Sequence, residues 1–228
     1  MTTLDVPNLG GGLNLRQRIR DVLRASIISG AMHPGPVYSA PTLSQQFGVS
    51  STPVREALLD LVAEGLVEAV RNKGFRVTQP SDKQLDDITA VRRMLEVPGM
   101  AQLAGSLTDA QREKVQSLYP AAHDLVELAA RRELVDWVQA DRRFHLELLG
   151  LVGNAVLLEL VANLRARSRL TGLDSLGIDA LVASSEEHVT ILDLLLAGDE
   201  AGLIDVMGRH IDHIRGAWAG RPEEQETT

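Results

Sequence analysis

The chain contains no cysteine, so disulfides, thiolate metal sites and cysteine nucleophiles are excluded, and any metal centre must draw on histidine and carboxylate. Aromatic residues occupy only 3% of its 228 positions, against 44% hydrophobic residues rich in Leu, Ala and Val. A core of that kind suits helix packed on helix better than a β-sandwich, and a mostly α protein is expected. No apolar run approaches the ~20 residues of a membrane span. The opening stretch, MTTLDVPNLGGGLNLRQR, also lacks a basic region followed by an apolar core. A cytoplasmic protein with no membrane partner is the expectation.

Positive charge is scarce overall, and the formal net charge of −8 speaks against a nucleic-acid partner until it is counted by segment. Residues 1–80 hold 8 Arg and Lys against 6 Asp and Glu, leaving 15 against 25 for the remainder. The excess of acid is confined to the second part, which leaves a DNA-binding first domain open. Length points the same way, since 228 residues exceed the usual size of one domain, ~100–150 residues, and suit two.

After a Gly-rich leader over residues 1–14, expected to be flexible, Leu15–Ser29 reads as an amphipathic helix with Ile19, Val22, Leu23 and Ile27 on one stripe and Gly30 at its end. Pro41 then opens a short helix, Thr42–Phe47, which Gly48 terminates. In VSSTPVREALLDLVAEGLVE, Ser51 or Thr52 can cap a further helix, and Pro53 sits where a missing N–H costs nothing. Val54, Ala57, Leu58, Leu61 and Val62 recur at helical spacing and form its buried face. Ser51, Thr52 and Arg55 are left in the exposed first turn, where free backbone N–H groups favour phosphate and an arginine can reach a guanine edge. Leu66–Val70 and Gly74–Thr78 alternate as two strands around Arg71-Asn72-Lys73-Gly74, a hairpin with a basic tip. A helix-turn-helix with a wing is the reading for residues 15–79. Candidate DNA contacts are Ser51, Thr52 and Arg55 from the helix and Asn72, Lys73 and Gly74 from the wing.

Gln79-Pro80-Ser81 serves as a linker, and Ser81 caps the next helix. Breaks at Gly105–Thr108, Arg131–Glu133, Gly150–Asn154, Thr171–Gly177 and Gly198-Asp199 divide residues 82–220 into about six helices, an antiparallel bundle ahead of a short tail, 221–228. Three histidines fall on apolar faces of that bundle. Asp141 and His145 are four apart in QADRRFHLELLGLV, on a face continued by Leu148, Leu149 and Val152. His188 lies with Ile191, Leu192 and Leu195, and His210 with Leu203, Val206 and Ile214. One such histidine is ordinarily a hydrogen-bonded core residue. Three with a carboxylate would leave several buried polar groups needing partners, and one divalent ion satisfies them together. Three nitrogens and an oxygen suit Zn²⁺, with Ni, Mn, Fe or Co as alternatives, and do not suit Ca²⁺ or Mg²⁺.

From Ile19 to Val77 the chain resembles the winged helix-turn-helix of the GntR family of bacterial regulators, through SGAMHPG, FGVSSTPVREAL and AEGLVEAVRNKGFRV. It departs from the family at Ser51 and Pro41, positions that are often basic, and so loses two potential DNA contacts. The bundle resembles the FCD effector domain of the FadR subfamily, and its six expected helices look like the VanR-type branch. That resemblance carries the family's metal set onto Asp141, His145, His188 and His210, and its Arg-x-x-Leu-Glu pattern onto Arg92, Leu95 and Glu96 in VRRMLE. It implies a homodimeric regulator, expected to be a repressor, whose bundle binds a divalent metal and a small organic acid that modulates its grip on a double-stranded DNA operator. Arg92 becomes a candidate carboxylate clamp, with Arg93 as the competing inward residue, and His213 a candidate effector or outer contact. Not an enzyme is the leading expectation. The alternatives are a metal-dependent hydrolase using the same His/Asp set, against which no sequence pattern suggests a dedicated general base and the winged helix would go unexplained, and a regulator whose bundle is purely structural.

Overall fold

The computed structural model describes residues 15–170 and 177–213. The Gly-rich leader, the tail and the Ile214 position of the His210 stripe lie outside them. The chain divides into two compact units, the first running to Pro80 and the second comprising Ser81–Ser168 and the helices after residue 177.

In the first unit, α1 (Leu15–Ile28), α2 (Ala40–Phe47) and α3 (Ser51–Ala63) pack around Ile19, Leu23, Leu43, Val54, Leu58 and Leu61. Gly48 ends α2 in the left-handed conformation (φ 64°), which a residue with a side chain adopts reluctantly. The cap of α3 differs from the expectation. Ser50 is its N-cap and makes no side-chain cap bond, while Ser51 and Thr52 are already helical. The Ser51 hydroxyl instead lies 3.1 Å from that of Ser44 on α2, tying the two helices of the motif together. Arg24 of α1 is buried and forks onto Glu64 just past α3, with contacts of 3.0 Å and 2.6 Å, so the α1–α3 seam is fixed by a paired charge as well as by apolar packing.

The wing is β2 (Val67–Val70) and β3 (Gly74–Val77), antiparallel, with Val70 opposite Gly74. A strand that alternation did not signal, β1 (Val37–Tyr38), adds to the other edge of β3, giving the order β1-β3-β2. Two residues following a Pro-Gly-Pro turn carry too little periodicity to read as a strand. Gly74 (φ 140°) has a structural reason beyond its place at the tip: a Cβ there would collide with the Tyr38 carbonyl oxygen of β1.

The second unit contains seven helices among the described residues rather than six: α4 (Asp82–Ala104), α5 (Asp109–Gln116), α6 (Tyr119–Ala130), α7 (Leu134–Gly150), α8 (Ala155–Ser168), α9 (Ile178–Ala197) and α10 (Glu200–Asp212). The additional break falls at Ser117-Leu118, where Pro120 occupies the first turn of α6 and cannot donate to a continuing helix. Ser81 and Thr108 form full capping boxes with Gln84 and Gln111, and the Asp199 side chain accepts from the Gly202 N–H. Helix α4 packs on α8 and α10, and α6 on α7 and α9, so that α7, α9 and α10 present inner faces to a common interior. No helix among the described residues is long and apolar enough to cross a membrane.

Candidate metal centre and nucleic-acid interface

Helical periodicity delivers the three histidines inward. His145 projects from α7, His188 from α9 and His210 from α10, all buried, and Asp141 sits one turn before His145. Their ligand atoms lie within 4.8 Å of one another. The Nε2 atoms of His188 and His210 stand 3.0 Å and 3.1 Å from Nε2 of His145, and Asp141 Oδ1 is 3.4 Å from His188 Nε2 and 3.5 Å from His145 Nε2.

Hydrogen bonding at the far side of two rings fixes what faces inward. His188 Nδ1 is 2.8 Å from the Ser185 carbonyl oxygen, which only accepts, so Nδ1 carries the proton and Nε2 presents a lone pair. His210 Nδ1 is 2.9 Å from Glu187 Oε2. Burial would push the Glu187 carboxyl up, but hydrogen bonds from His210 and His213 outweigh it and bring its pKa to about 2, so at neutral pH it is an acceptor and His210 too turns a bare Nε2 inward. His145 Nε2 therefore faces two nitrogen lone pairs and a carboxylate oxygen. One proton can bridge only one of these contacts. A divalent cation could accept from all four groups at once, and the donor set is of the kind that could hold one.

The electrostatics agree. Burial, reinforced by Arg165, holds the His145 pKa well below the usual imidazole value. Burial likewise brings that of His210 to about 4, with the Glu187 hydrogen bond opposing. Both rings are neutral at pH 7, the state in which imidazole can ligate. Phe144 closes the apolar side of the cluster, with its ring edge-on to His145 and His188.

Behind Asp141 runs a chain of buried charge. Arg165 on α8 donates to Asp141 Oδ2 at 3.4 Å and to Glu96 Oε2 at 2.8 Å, while Arg92 on α4 donates to Glu96 Oε1 at 2.6 Å and to the Ser168 hydroxyl at 3.2 Å. Burial would raise the Glu96 carboxyl, but the two guanidinium groups hold it below its usual range. Arg92, 1% exposed, is thus the inward arginine, and Arg93 is a surface residue paired with Asp212. Two of the Arg92 donors are committed to Glu96 and Ser168, so its fork is less open to an acid than the motif suggested. His213 stands farther out, with Nδ1 3.4 Å from Glu187 Oε2. Arg165 and Glu187 carry no inward mark in the sequence, where a charged residue on a helix reads as solvated. The one signal is adjacency, since Glu187 immediately precedes His188.

In the first unit, Thr52 and Arg55 are exposed on the first turn of α3, and Asn72 and Lys73 are exposed at the wing tip. Asn72 adopts the left-handed conformation (φ 57°), which asparagine tolerates better than most residues. Ser51 is exposed as well as bonded to Ser44, and Gly74 is tucked against β1.

A winged helix-turn-helix joined to a helical bundle with a buried His/Asp cluster defines a class, that of DNA-binding regulators with a helical second domain. Residues 87–213 match the FCD domain model, and residues 15–77 match the model of bacterial regulatory proteins, gntR family. The chain belongs to the GntR family and carries an FCD domain. It is 28% identical over 189 residues to the HTH-type transcriptional regulator McbR of Escherichia coli (strain K12), covering 83% of this chain and 84% of that protein. A probable D-xylose utilization operon transcriptional repressor of Paenarthrobacter nicotinovorans is 32% identical over 190 residues, covering 80% of this chain and 79% of that one. Among solved structures, E. coli McbR/YncC superposes with a TM-score of 0.74 at 24% identity over 89% of this chain and 95% of that one, a likeness of fold. The family consists of DNA-binding transcriptional regulators, and the hydrolase alternative falls with that membership.

The neutral rings make the metal-free protein acid-sensitive. A histidine whose folded pKa lies below its unfolded value of 6.5 stabilises fully above 6.5 and loses that contribution as pH falls; for His210 the loss runs from 6.5 to about 4. Across that window His210 contributes on the order of 3 kcal/mol. Chelator-treated protein should therefore unfold at a lower temperature at pH 5 than at pH 7.5. His210→Gln should flatten that dependence, and an unchanged slope in calorimetry would contradict a neutral buried His210.

Proposed function

We propose that this regulator is a homodimeric repressor whose bundle binds a divalent metal, Zn²⁺ foremost, together with a small carboxylate that alters operator binding. The observation that carries the reading is the convergence of three imidazole Nε2 atoms and Asp141 Oδ1, with the His188 and His210 tautomers set by Ser185 and Glu187. Asp141, His145, His188 and His210 would hold the ion, which supplies a Lewis-acidic anchor for a carboxylate oxygen. Arg92 adds positive charge to the interior through Glu96, and His213 lies at the outer edge of the cluster, within reach of a larger acid. A ligand can change DNA affinity only by binding one arrangement of the protein better than the other.

Chelator-treated protein heated with mono-, di- and tricarboxylates, each with and without Zn²⁺, tests this, because a ligand specific to the folded state raises the midpoint by mass action. One acid should stabilise only when metal is present, and His145→Ala should abolish the shift. Metal that stabilises while no acid adds to it would reduce the bundle to the structural alternative.

For DNA, the exposed first turn of α3 supports Thr52 and Arg55, with Ser51 beside them, as the operator-reading group, and the wing supports Asn72 and Lys73 as backbone contacts. Arg55→Ala should weaken operator binding by ~1–3 kcal/mol and relax sequence preference, whereas Lys73→Ala should weaken all sequences alike and reduce the salt dependence. Equal loss on operator and random DNA for Arg55→Ala would remove it from base readout.

Dimerisation is supported by apolar side chains left open on two helices packed together, Val91 and Met94 (71% exposed) on α4 and Val156 and Leu160 (51% exposed) on α8. Paired recognition helices meeting half-sites one helical turn apart require two copies. Sedimentation should find a dimer at micromolar concentration and a monomer for Met94→Glu/Leu160→Glu; a double variant that stays dimeric moves the interface elsewhere.

A further inference from the structure

The three imidazoles are not held alike, and the difference isolates one residue outside the ligand set. His188 is oriented from within its own helix, by the Ser185 carbonyl one turn back. His210 on α10 is oriented from another helix, by the Glu187 carboxylate of α9 at 2.9 Å. The same oxygen lies 3.4 Å from His213 Nδ1, and the other oxygen lies 3.6 Å from Arg209 Nη1, so three cationic or donor groups of α10 and its C-cap gather on one carboxylate. Glu187 is also the chain neighbour of His188, which places the support of one ligand and the side chain of another on consecutive residues of α9.

We infer that Glu187 is the positioning residue of the metal centre: by accepting the His210 Nδ1–H it selects the tautomer and ring angle that aim Nε2 at the site, and it locks α10 to α9 when the site is filled. The inference rests on the proposed metal reading. A carboxylate behind a ligating imidazole raises the basicity of the far nitrogen and fixes the ring, and loss of such a partner lowers metal affinity by ~10–100-fold. Without Glu187, the His210 ring can rotate or carry its proton on Nε2, and the site keeps Asp141, His145 and His188.

The test uses full-length wild type, Glu187→Ala and Glu187→Gln, loaded with Co²⁺ for its visible ligand-field absorption and with Zn²⁺ in competition against a chromophoric chelator. Thermal midpoints of the metal-free proteins report folding separately. The expected result is a Zn²⁺ affinity ~10–100-fold weaker for Glu187→Ala, with an altered Co²⁺ spectrum, alongside a lowered metal-free midpoint because the buried His210 Nδ1–H loses its acceptor. Glu187→Gln should fall between, because its carbonyl still accepts the Nδ1–H but carries no charge. If Glu187→Ala does not fold, the Gln variant decides by the same readouts. Wild-type affinity and spectrum in the variants would overturn the role of Glu187 while leaving the metal reading intact. Failure of the wild type itself to bind Co²⁺ or Zn²⁺ would overturn the metal reading and this inference with it.

Discussion

The bundle is organised around a constraint that apolar packing alone does not impose: charge taken out of water must be matched group by group. Arg92, Glu96, Arg165 and Asp141 form an unbroken chain of buried ions across α4, α7 and α8, two positive and two negative. Each member neutralises its neighbours, and removal of one strands the rest at a cost of ~3–5 kcal/mol. Asp141 ends that chain and begins the histidine cluster, with Oδ2 turned to Arg165 and Oδ1 toward the imidazoles. Five helices are thereby referenced to one carboxylate.

This arrangement links the histidine cluster physically to the rest of its domain. The histidines come from α7, α9 and α10, and the ion chain links α7 to α4, the helix that leads into the bundle from the linker. The walls around the cluster are stiff: Trp137 donates to the Ser185 hydroxyl at 2.9 Å, and Phe144 packs edge-on against two of the rings. Close-packed interiors with directional bonds tend to hold discrete arrangements, the property that a switch needs.

In the DNA-binding unit a different logic applies. Its candidate contact groups stand on the surface, and its precision comes from the backbone. Left-handed Gly48 sets the turn between α2 and α3, Ser44 and Ser51 join them, and Gly74 allows β1 to approach the wing. Arg24 and Glu64 brace α1 against the end of α3 from behind. None of these residues needs to touch DNA in order to matter to it.

Much of this was legible in the one-dimensional pattern. Hydrophobic spacing of 3.6 and 2 residues located the helices and the wing, glycines and cap residues bounded them, and the inward phase of Asp141, His145, His188 and His210 came from the same periodicity. Two-residue β1 and the Ser117-Leu118 break escaped it, one because it is too short to show a period, the other because the proline that enforces it sits inside a run otherwise fit for one helix. The sequence by itself determined the elements, their buried faces and the residue types available for ligation, because those depend on neighbours within a turn or two. Only the tertiary structure decided which arginine turns inward, that Arg165 and Glu96 complete the charge of Asp141, and that Glu187 reaches His210 on the next helix. These are pairings between helices, and their partners are chosen by the geometry of packing, to which periodicity along one chain is blind.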